Sequence, residues 1–417
     1  MKRLLAILLI LSILCIFSAC GENANTGNNG DWVWALDYRE GALSEQCYYH
    51  LKGRGFLYCS DISNGECIIL CSNVGCDHED PETCDGFLAR RADGEMFFWD
   101  DHLYYFADDG YGMYLYRRSA TGTQEVKIAA IGEKYIKEKK TISAGKPILF
   151  QGYLYYMLSV SDSVFSEKLG MQTSLRVAES ICRMDLDTGM EEVLYEEQIE
   201  FQNESVRLFA AGKEGVLFSH LAGLDMETSE PDYLEKSLQR SHSLMKWNEE
   251  TRDVSTVFQK NVETCVGINM LYDGKVYYRV RKVVDGKSLM YPTYSYDLAT
   301  GKDELVCEVN LWHIGGGYAV CYYTDKSVGL FDLQAKKELP YILEDPAQSA
   351  TTLLAMTEKG CVINWPGRLK KENEEDRFGY TPLYTAYISY SSLENGLQQD
   401  DVVILDTHEA YTEDAGV

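Results

Sequence analysis

The sequence is poor in proline, poor in basic residues and, beyond its first 17 positions, free of long apolar runs. Only 8 prolines occur in 417 residues, so few positions would deny a strand its ladder donor. Lys and Arg number 39 against 65 Asp and Glu, a formal charge of −26. A nucleic-acid partner is thereby disfavoured, because such binding relies on basic surface to neutralise phosphates. No segment after the N-terminus is long and apolar enough to span a bilayer. Sustained helical periodicity is missing as well. Gly-x-Ser-x-Gly, His-Glu-x-x-His, a phosphate loop and a dinucleotide fingerprint are all absent, which removes the local signatures of several catalytic classes. The 7 histidines (His50, His78, His102, His220, His242, His313 and His408) are scattered. Acidic residues are too numerous for one pair to stand out as general acid and base. A glycan-cleaving site assembled from distant loops would leave no such motif.

What is present begins with an address. Met1, Lys2 and Arg3 precede an apolar run from Leu4 to Phe17, followed by Ser18, Ala19 and Cys20. A basic head, a core of roughly 14 residues and small residues at the end describe a secretory signal, since a spanning helix needs about 20. Phe17-Ser18-Ala19-Cys20 resembles the lipobox of bacterial lipoproteins, which implies a diacylglycerol on the Cys20 thiol and cleavage before it. An ordinary secretory signal is the alternative, and it too places the rest of the chain outside the cytoplasm. Residues 1–19 are then the signal, 20–31 a lipidated tether and 32–417 the folded domain. Gly21 to Gly30 (GENANTGNNG) has the composition of a flexible spacer. Loss of Lys2 and Arg3 with the signal takes the charge from −26 to −28, a surface suited to solubility and self-repulsion near a cell wall.

Tyrosine is the compositional outlier, with 30 copies against 14 Phe and 6 Trp. Aromatic, β-branched and Gly-rich segments indicate strands. Two patterns alternate along the chain. One is a turn residue followed by an apolar strand, as in Asp101-His102-Leu103-Tyr104-Tyr105, Gly152-Tyr153-Leu154-Tyr155-Tyr156, Gly215-Val216-Leu217-Phe218 and Gly274-Lys275-Val276-Tyr277-Tyr278. Gly317-Tyr318-Ala319-Val320 and Gly360-Cys361-Val362-Ile363 continue it. The other is a strand ending in a polar turn, clearest in Met184-Asp185-Leu186-Asp187-Thr188-Gly189 and Tyr296-Asp297-Leu298-Ala299-Thr300-Gly301-Lys302. Asp and Asn side chains fold onto the local backbone there, and Gly supplies the positive φ of a tight hairpin.

Seven such units, spaced by roughly 35 to 65 residues, predict an all-β chain closed as a β-propeller. Each short sheet leaves apolar faces that its neighbours cover, and ring closure protects the edges. Six or eight blades, or a pair of β-sandwiches, are the alternatives. The alternation of Leu-Tyr-Tyr strands with Tyr-Asp-Leu-x-Thr-Gly-Lys hairpins resembles bacterial surface lipoproteins with a propeller domain, related in pattern to TolB-like and YWTD-type propellers. That resemblance covers most of the mature chain and implies a fold and a binding surface, and no reaction. The YWTD tetrapeptide itself is absent, so that family's ligand mode does not carry over.

With Leu-Tyr-Tyr on the second strand of a blade and the polar hairpin between strands three and four, the insertions Ser159 to Glu179, Ala222 to Ser241 and Trp365 to Gly379 are all two–three loops. They are expected to crown one face, with the cysteine-rich connection between the first two blades opening there too. Loops on a rigid scaffold are where recognition residues concentrate. The mixed charge run of Arg368, Lys370, Lys371, Glu374, Glu375 and Asp376 reads as solvated.

Of 13 cysteines, Cys15 falls within the signal and Cys20 is the lipid acceptor. Cys71, Cys76, His78 and Cys84 lie within about fourteen residues and could close a tetrahedral structural zinc site from three thiolates and an imidazole. Disulfides are the competing outcome in an exported protein, pairing Cys71 with Cys84 or drawing in Cys47, Cys59 or Cys67. Unpaired buried thiols are the third. All four donors would be used by the metal, so a catalytic metal with an open position is disfavoured. Cys182, Cys265, Cys307, Cys321 and Cys361 sit in apolar strand patterns and read as small core residues. The expected function is a membrane-anchored, extracytoplasmic module that recognises a protein, peptide or glycan without catalysis. A hydrolase or lyase with carboxylates in the propeller funnel, and an envelope-assembly scaffold, are the alternatives.

Overall fold

The computed structural model describes residues 32–34, 41–52, 55–79, 83–88, 92–108, 112–122, 125–166, 171–225, 232–263, 265–284, 288–315, 317–322, 328–339, 352–356, 359–365, 383–395 and 401–408. The signal, Cys20 and the tether lie outside them, as do the charge run around Glu374 and the Trp365 insertion beyond its first residue.

Seven antiparallel sheets of four blade strands each follow one another along the chain, and a fifth strand joins one of them. The first comprises Gly41–Leu43, Cys47–Lys52, Phe56–Asp61 and Cys67–Ile69, and the second Ala92–Trp99, His102–Asp108, Met113–Ser119 and Val126–Ala130. The third is Thr141–Phe150, Tyr153–Ser166, Met171–Asp185 and Glu191–Gln198, and the fourth Ser205–Gly212, Gly215–Leu221, Ser241–Asn248 and Val254–Asn261. The fifth is Gly267–Tyr272, Lys275–Arg279, Thr293–Asp297 and Asp303–Cys307, with a side hairpin of Lys282–Val284 and Ser288–Met290. Asn310–Gly315, Tyr318–Tyr322, Val328–Asp332 and Lys337–Glu338 form the sixth. Thr352–Met356, Gly360–Trp365, Leu383–Ser389 and Val402–His408 complete the ring. The first strands touch one another in chain order, and that of blade seven returns to that of blade one. The protein is a seven-bladed β-propeller.

The repeated sequence patterns fall where expected. Every Leu-Tyr-Tyr-type segment is a second strand, and the polar turns join strands three and four. In those turns one carboxylate or amide oxygen accepts two successive backbone N–H groups: Asp185 from Asp187 and Thr188, Asn248 from Glu250 and Thr251, Asp297 from Ala299 and Thr300, Asp332 from Gln334 and Ala335. Blade seven departs from this pattern. Ser389 caps a short helix, Tyr390–Glu394, by accepting from the Ser392 N–H, in place of the turn.

The excess of tyrosine has a structural cause. The last Tyr of the motif is buried in blades two, three and five, where an apolar ring suits the core but a hydroxyl needs a partner. Tyr105 donates to Glu125, Tyr156 to Glu191 and Tyr278 to Asp303 at 2.7 Å. Each acceptor stands at or just before the start of its blade's outermost strand, so the hydroxyl links the second strand to the fourth. Phe218 fills the place in blade four and has no hydroxyl to give.

The seam between the last and first blades is fastened by packing. Leu43 and Tyr48 of blade one share a core cluster with Val362, Tyr387 and Leu405 of blade seven, and each fully buried side chain of this kind contributes about 1.5–3 kcal/mol. Ser60 Oγ donates to the Leu405 carbonyl at 3.1 Å. Gly65, at φ +77°, lies so close to the outer strand of blade seven that a Cβ would stand 2.3 Å from the Ile404 oxygen.

One element has no signal in the sequence. Trp32–Trp34 pairs antiparallel with Ser205–Gly212, the innermost strand of blade four, with Trp32 opposite Gly212 and Trp34 opposite Ala210. A strand inward of the innermost strand lies in the central channel. Val33 is buried among residues of blades three and four, and Trp32 packs against the cluster shared by blades four and five.

Candidate metal centre and rim cluster

The cysteine-rich connection leaves blade one at Leu70 and returns along the same blade. Leu70 donates to Leu57 O, Leu57 to Gly86 O and Leu88 to Gly55 O, all at 2.8 Å. Residues 71–84 therefore form an excursion pinned at both ends, which is what brings its donors together. Ligand atoms of Cys71, Cys76, His78 and Cys84 all lie within 4.8 Å of one another. His78 Nδ1 is 3.3 Å from Cys84 Sγ, and His78 holds a left-handed backbone at φ 59°. Cys84 is buried and the other three are partly so.

The donor set fits zinc. Donors on a tetrahedron with Zn–S about 2.3 Å and Zn–N about 2.0 Å stand roughly 3.5–3.8 Å apart, so the cluster needs only small side-chain adjustments. Burial pushes the Cys84 thiol up to about 12, and contacts with the Cys71 and Cys76 thiols add to this. Burial also raises Cys71, followed by its hydrogen bond with Asp85. A divalent cation would reverse that preference, because thiolates bind it directly.

Beside the donors, Asp85 ties the excursion to the next blade. It accepts from Ser72 N at 3.0 Å and from the Ser72 hydroxyl. Arg118 of blade two, 1% exposed, approaches the Asp85 carboxylate at 3.5 Å and donates to the Asp85 carbonyl and to Gly122 O. Burial works against the charge on Asp85, yet hydrogen bonds from Cys71 and Ser72 and the Arg118 guanidinium hold its carboxyl below the usual range. Gly55 and Leu57 flank the two–three turn of blade one, so the excursion opens at the end of the strands where the insertions lie, and through Asp85 it reaches the outer edge of blade two.

No disulfide joins the eleven cysteines among the described residues. Cys182, Cys265, Cys321 and Cys361 are buried as expected, whereas Cys307 is only half-buried. Cys47 and Cys59 share a face of blade one, where Tyr49 opposes Cys59 and Cys47 opposes Asp61. Their thiols hydrogen-bond, which pulls Cys47 down and pushes Cys59 up.

Two insertions do share a rim. Ser159 to Glu179 is not a loop: Tyr153–Ser166 and Met171–Asp185 stay paired out to Ser166 opposite Met171, as an arm beyond the blade. Its outer part exposes Phe165, Met171 and Leu175 at 65%, 58% and 39%. The blade-four insertion carries a short helix, Tyr233–Leu238.

At the base of the arm the fold assembles a group that sequence spacing gave no hint of. Glu197 ends the outer strand of blade three, Glu204 precedes the inner strand of blade four, and His220 closes that blade's second strand. Their donor atoms lie within 4.8 Å of one another. His220 Nε2 is 3.0 Å from Glu204 Oε1, and Tyr195 donates to Glu197. Glu179 bonds Arg176 at 2.6 Å and the Val206 N–H at 2.5 Å alongside. Chemically, an imidazole with two carboxylates can move a proton or hold a divalent cation. Of the other histidines, His102 bonds Asp100 O at 2.5 Å within its own turn, His50 is buried against Ser60 at 3.1 Å, and the His313 side chain lies outside the described residues.

No family model matches the chain, nor does any curated protein. Among solved structures it is similar to an oligogalacturonate lyase from Vibrio parahaemolyticus, 12% identical over 81% of this chain and 88% of that one, with a TM-score of 0.46. A puromycin hydrolase is 10% identical over 88% of this chain, TM-score 0.46, and the chain spans about half of it, 53%. TolB from Acinetobacter baumannii is 12% identical over 82% of this chain and 76% of its own, TM-score 0.37. Likeness at this level carries nothing about substrate or reaction.

Proposed function

We propose that the protein is an exported propeller held to the extracytoplasmic face of the membrane by lipid on Cys20, which binds a protein, peptide or glycan on its two–three face without catalysis. The observation that carries this reading is the arm of blade three, a paired hairpin that holds exposed apolar side chains beyond the ring. Such residues on a protruding, ordered element favour recognition, since burial of each against a partner is worth about 1.5–3 kcal/mol. Glycan and peptide arrays probed with the purified protein are expected to give saturable binding that Phe165→Ser weakens. Arrays with no saturable binding would sink the reading.

In the same proposal the Cys71, Cys76, His78 and Cys84 cluster holds a structural Zn²⁺, fastening the blade-one excursion beside Asp85 and Arg118. Elemental analysis should find about one equivalent, lost in Cys76→Ser, and less than about a tenth of an equivalent would rule the metal out. One observation favours a second reading, an extracellular hydrolase or lyase. The Glu197, Glu204 and His220 group supplies acid–base chemistry on the face of the arm, outside a channel that Trp32–Trp34 enters. Turnover of a screened glycan that Glu204→Gln abolishes while leaving the fold intact would replace the first reading with this one.

A further inference from the structure

Antiparallel order fixes which face each end of a strand meets. Within a blade, strand one runs from the two–three face down to the one–two turn. Gly212 is the last residue of that strand in blade four, and Trp32 is its partner. From Trp32 to Trp34 the chain climbs toward the two–three face, so the backbone N of Trp32 is directed to the opposite side. That side carries the one–two turns at Asp100, Asp101, Glu214 and Asp273 and the three–four turns at Asp187 and Glu250. Trp32 is seated there: its ring lies 5.7 Å from Lys246 Nζ, and Lys246 pairs with Glu214 of the one–two turn.

We infer that the tether emerges from the turn face, so that a bilayer holding Cys20 fronts the turns while the arm and the blade-four insertion point away from it. This rests on the reading that Cys20 carries lipid. Lengths make the orientation persistent. About twelve residues separate Cys20 from Trp32, and an unstructured chain of that length would have a root-mean-square span of roughly 18–20 Å. Ser174 on the arm and Asp187 in the turn lie along one strand and its turn, about 40 Å apart at 3.3 Å per residue. Even fully extended, twelve residues reach only about 40 Å, no more than that separation, so the turn face is favoured over the arm as the side nearest the bilayer.

The test uses the lipidated full protein, extracted from membranes and reconstituted into phosphatidylcholine vesicles doped with an acceptor-labelled lipid. A fluorescent amino acid replaces exposed Asp187 in one variant and exposed Ser174 in another. Energy transfer to the bilayer is expected to be several-fold greater from position 187. Equal transfer, or greater transfer from position 174, overturns the orientation. A Cys20→Ala protein that partitions into vesicles as well as the parent overturns the lipid reading instead, and the two failures are told apart by whether the ring is on the vesicle at all.

Discussion

Ring closure can be tested with two glycines. Gly65 and Gly152 both hold left-handed backbones, at φ +77° and +80°, so alanine at either place costs about 1–2 kcal/mol for conformation alone. Gly152 has nothing within 4 Å of its would-be Cβ, whereas at Gly65 that atom would sit 2.3 Å from the Ile404 carbonyl oxygen of blade seven. A backbone oxygen in a paired strand cannot rotate aside, and overpacking of this sort adds roughly 1–3 kcal/mol. Gly152→Ala is therefore expected to lose about 1–2 kcal/mol and Gly65→Ala about 2–5 kcal/mol. Urea unfolding followed by tryptophan fluorescence reads both from midpoint shifts at a common slope. Equal losses, or a larger loss at Gly152, would mean that blades one and seven do not meet at this seam.

Three further outcomes follow from buried polar groups. Burial, aided by the charges of Arg240, Arg279 and His220 and opposed by a hydrogen bond at Cys265, lowers His242 from 6.5 to about 4. The unfolded chain takes up a proton near pH 6.5 that the folded protein refuses until about pH 4, so stability from this group is complete above pH 6.5 and falls by about 3 kcal/mol across that window. His242→Gln should flatten the decline measured by urea unfolding at stepped pH, and an unchanged slope would refute it. Tyr156→Phe and Tyr278→Phe should each cost about 1.5–3 kcal/mol by removing a donor to a carboxylate, and their losses should add because they lie in separate blades; calorimetry of the double variant checks both points. Arg118→Met should cost about 2–3 kcal/mol, below the 3–5 of a fully buried pair because Asp85 is 34% exposed. In that variant zinc should also be released faster to a chelator, and unchanged release would detach Arg118 from the proposed metal centre.

The blades were legible in the sequence because each is a local object. Alternation, a turn residue at a fixed offset and an Asp or Asn that caps its own hairpin all act within about a dozen residues, so Tyr296 to Lys302 announces its turn without reference to the rest of the chain. The Cys71 to Cys84 donor set was legible for the same reason, since one short excursion supplies all four candidate donors. Tertiary structure alone decided what depends on residues far apart. The Glu197, Glu204 and His220 group draws on two blades and leaves no spacing to read. The cysteine segment settled against Arg118 because Asp85 needed a cation and blade two offered one. Trp32–Trp34 entered the channel because the inner edge of Ser205–Gly212 had unpaired backbone groups to satisfy, and a three-residue strand can pair with a partner about 180 residues away only after the ring has formed.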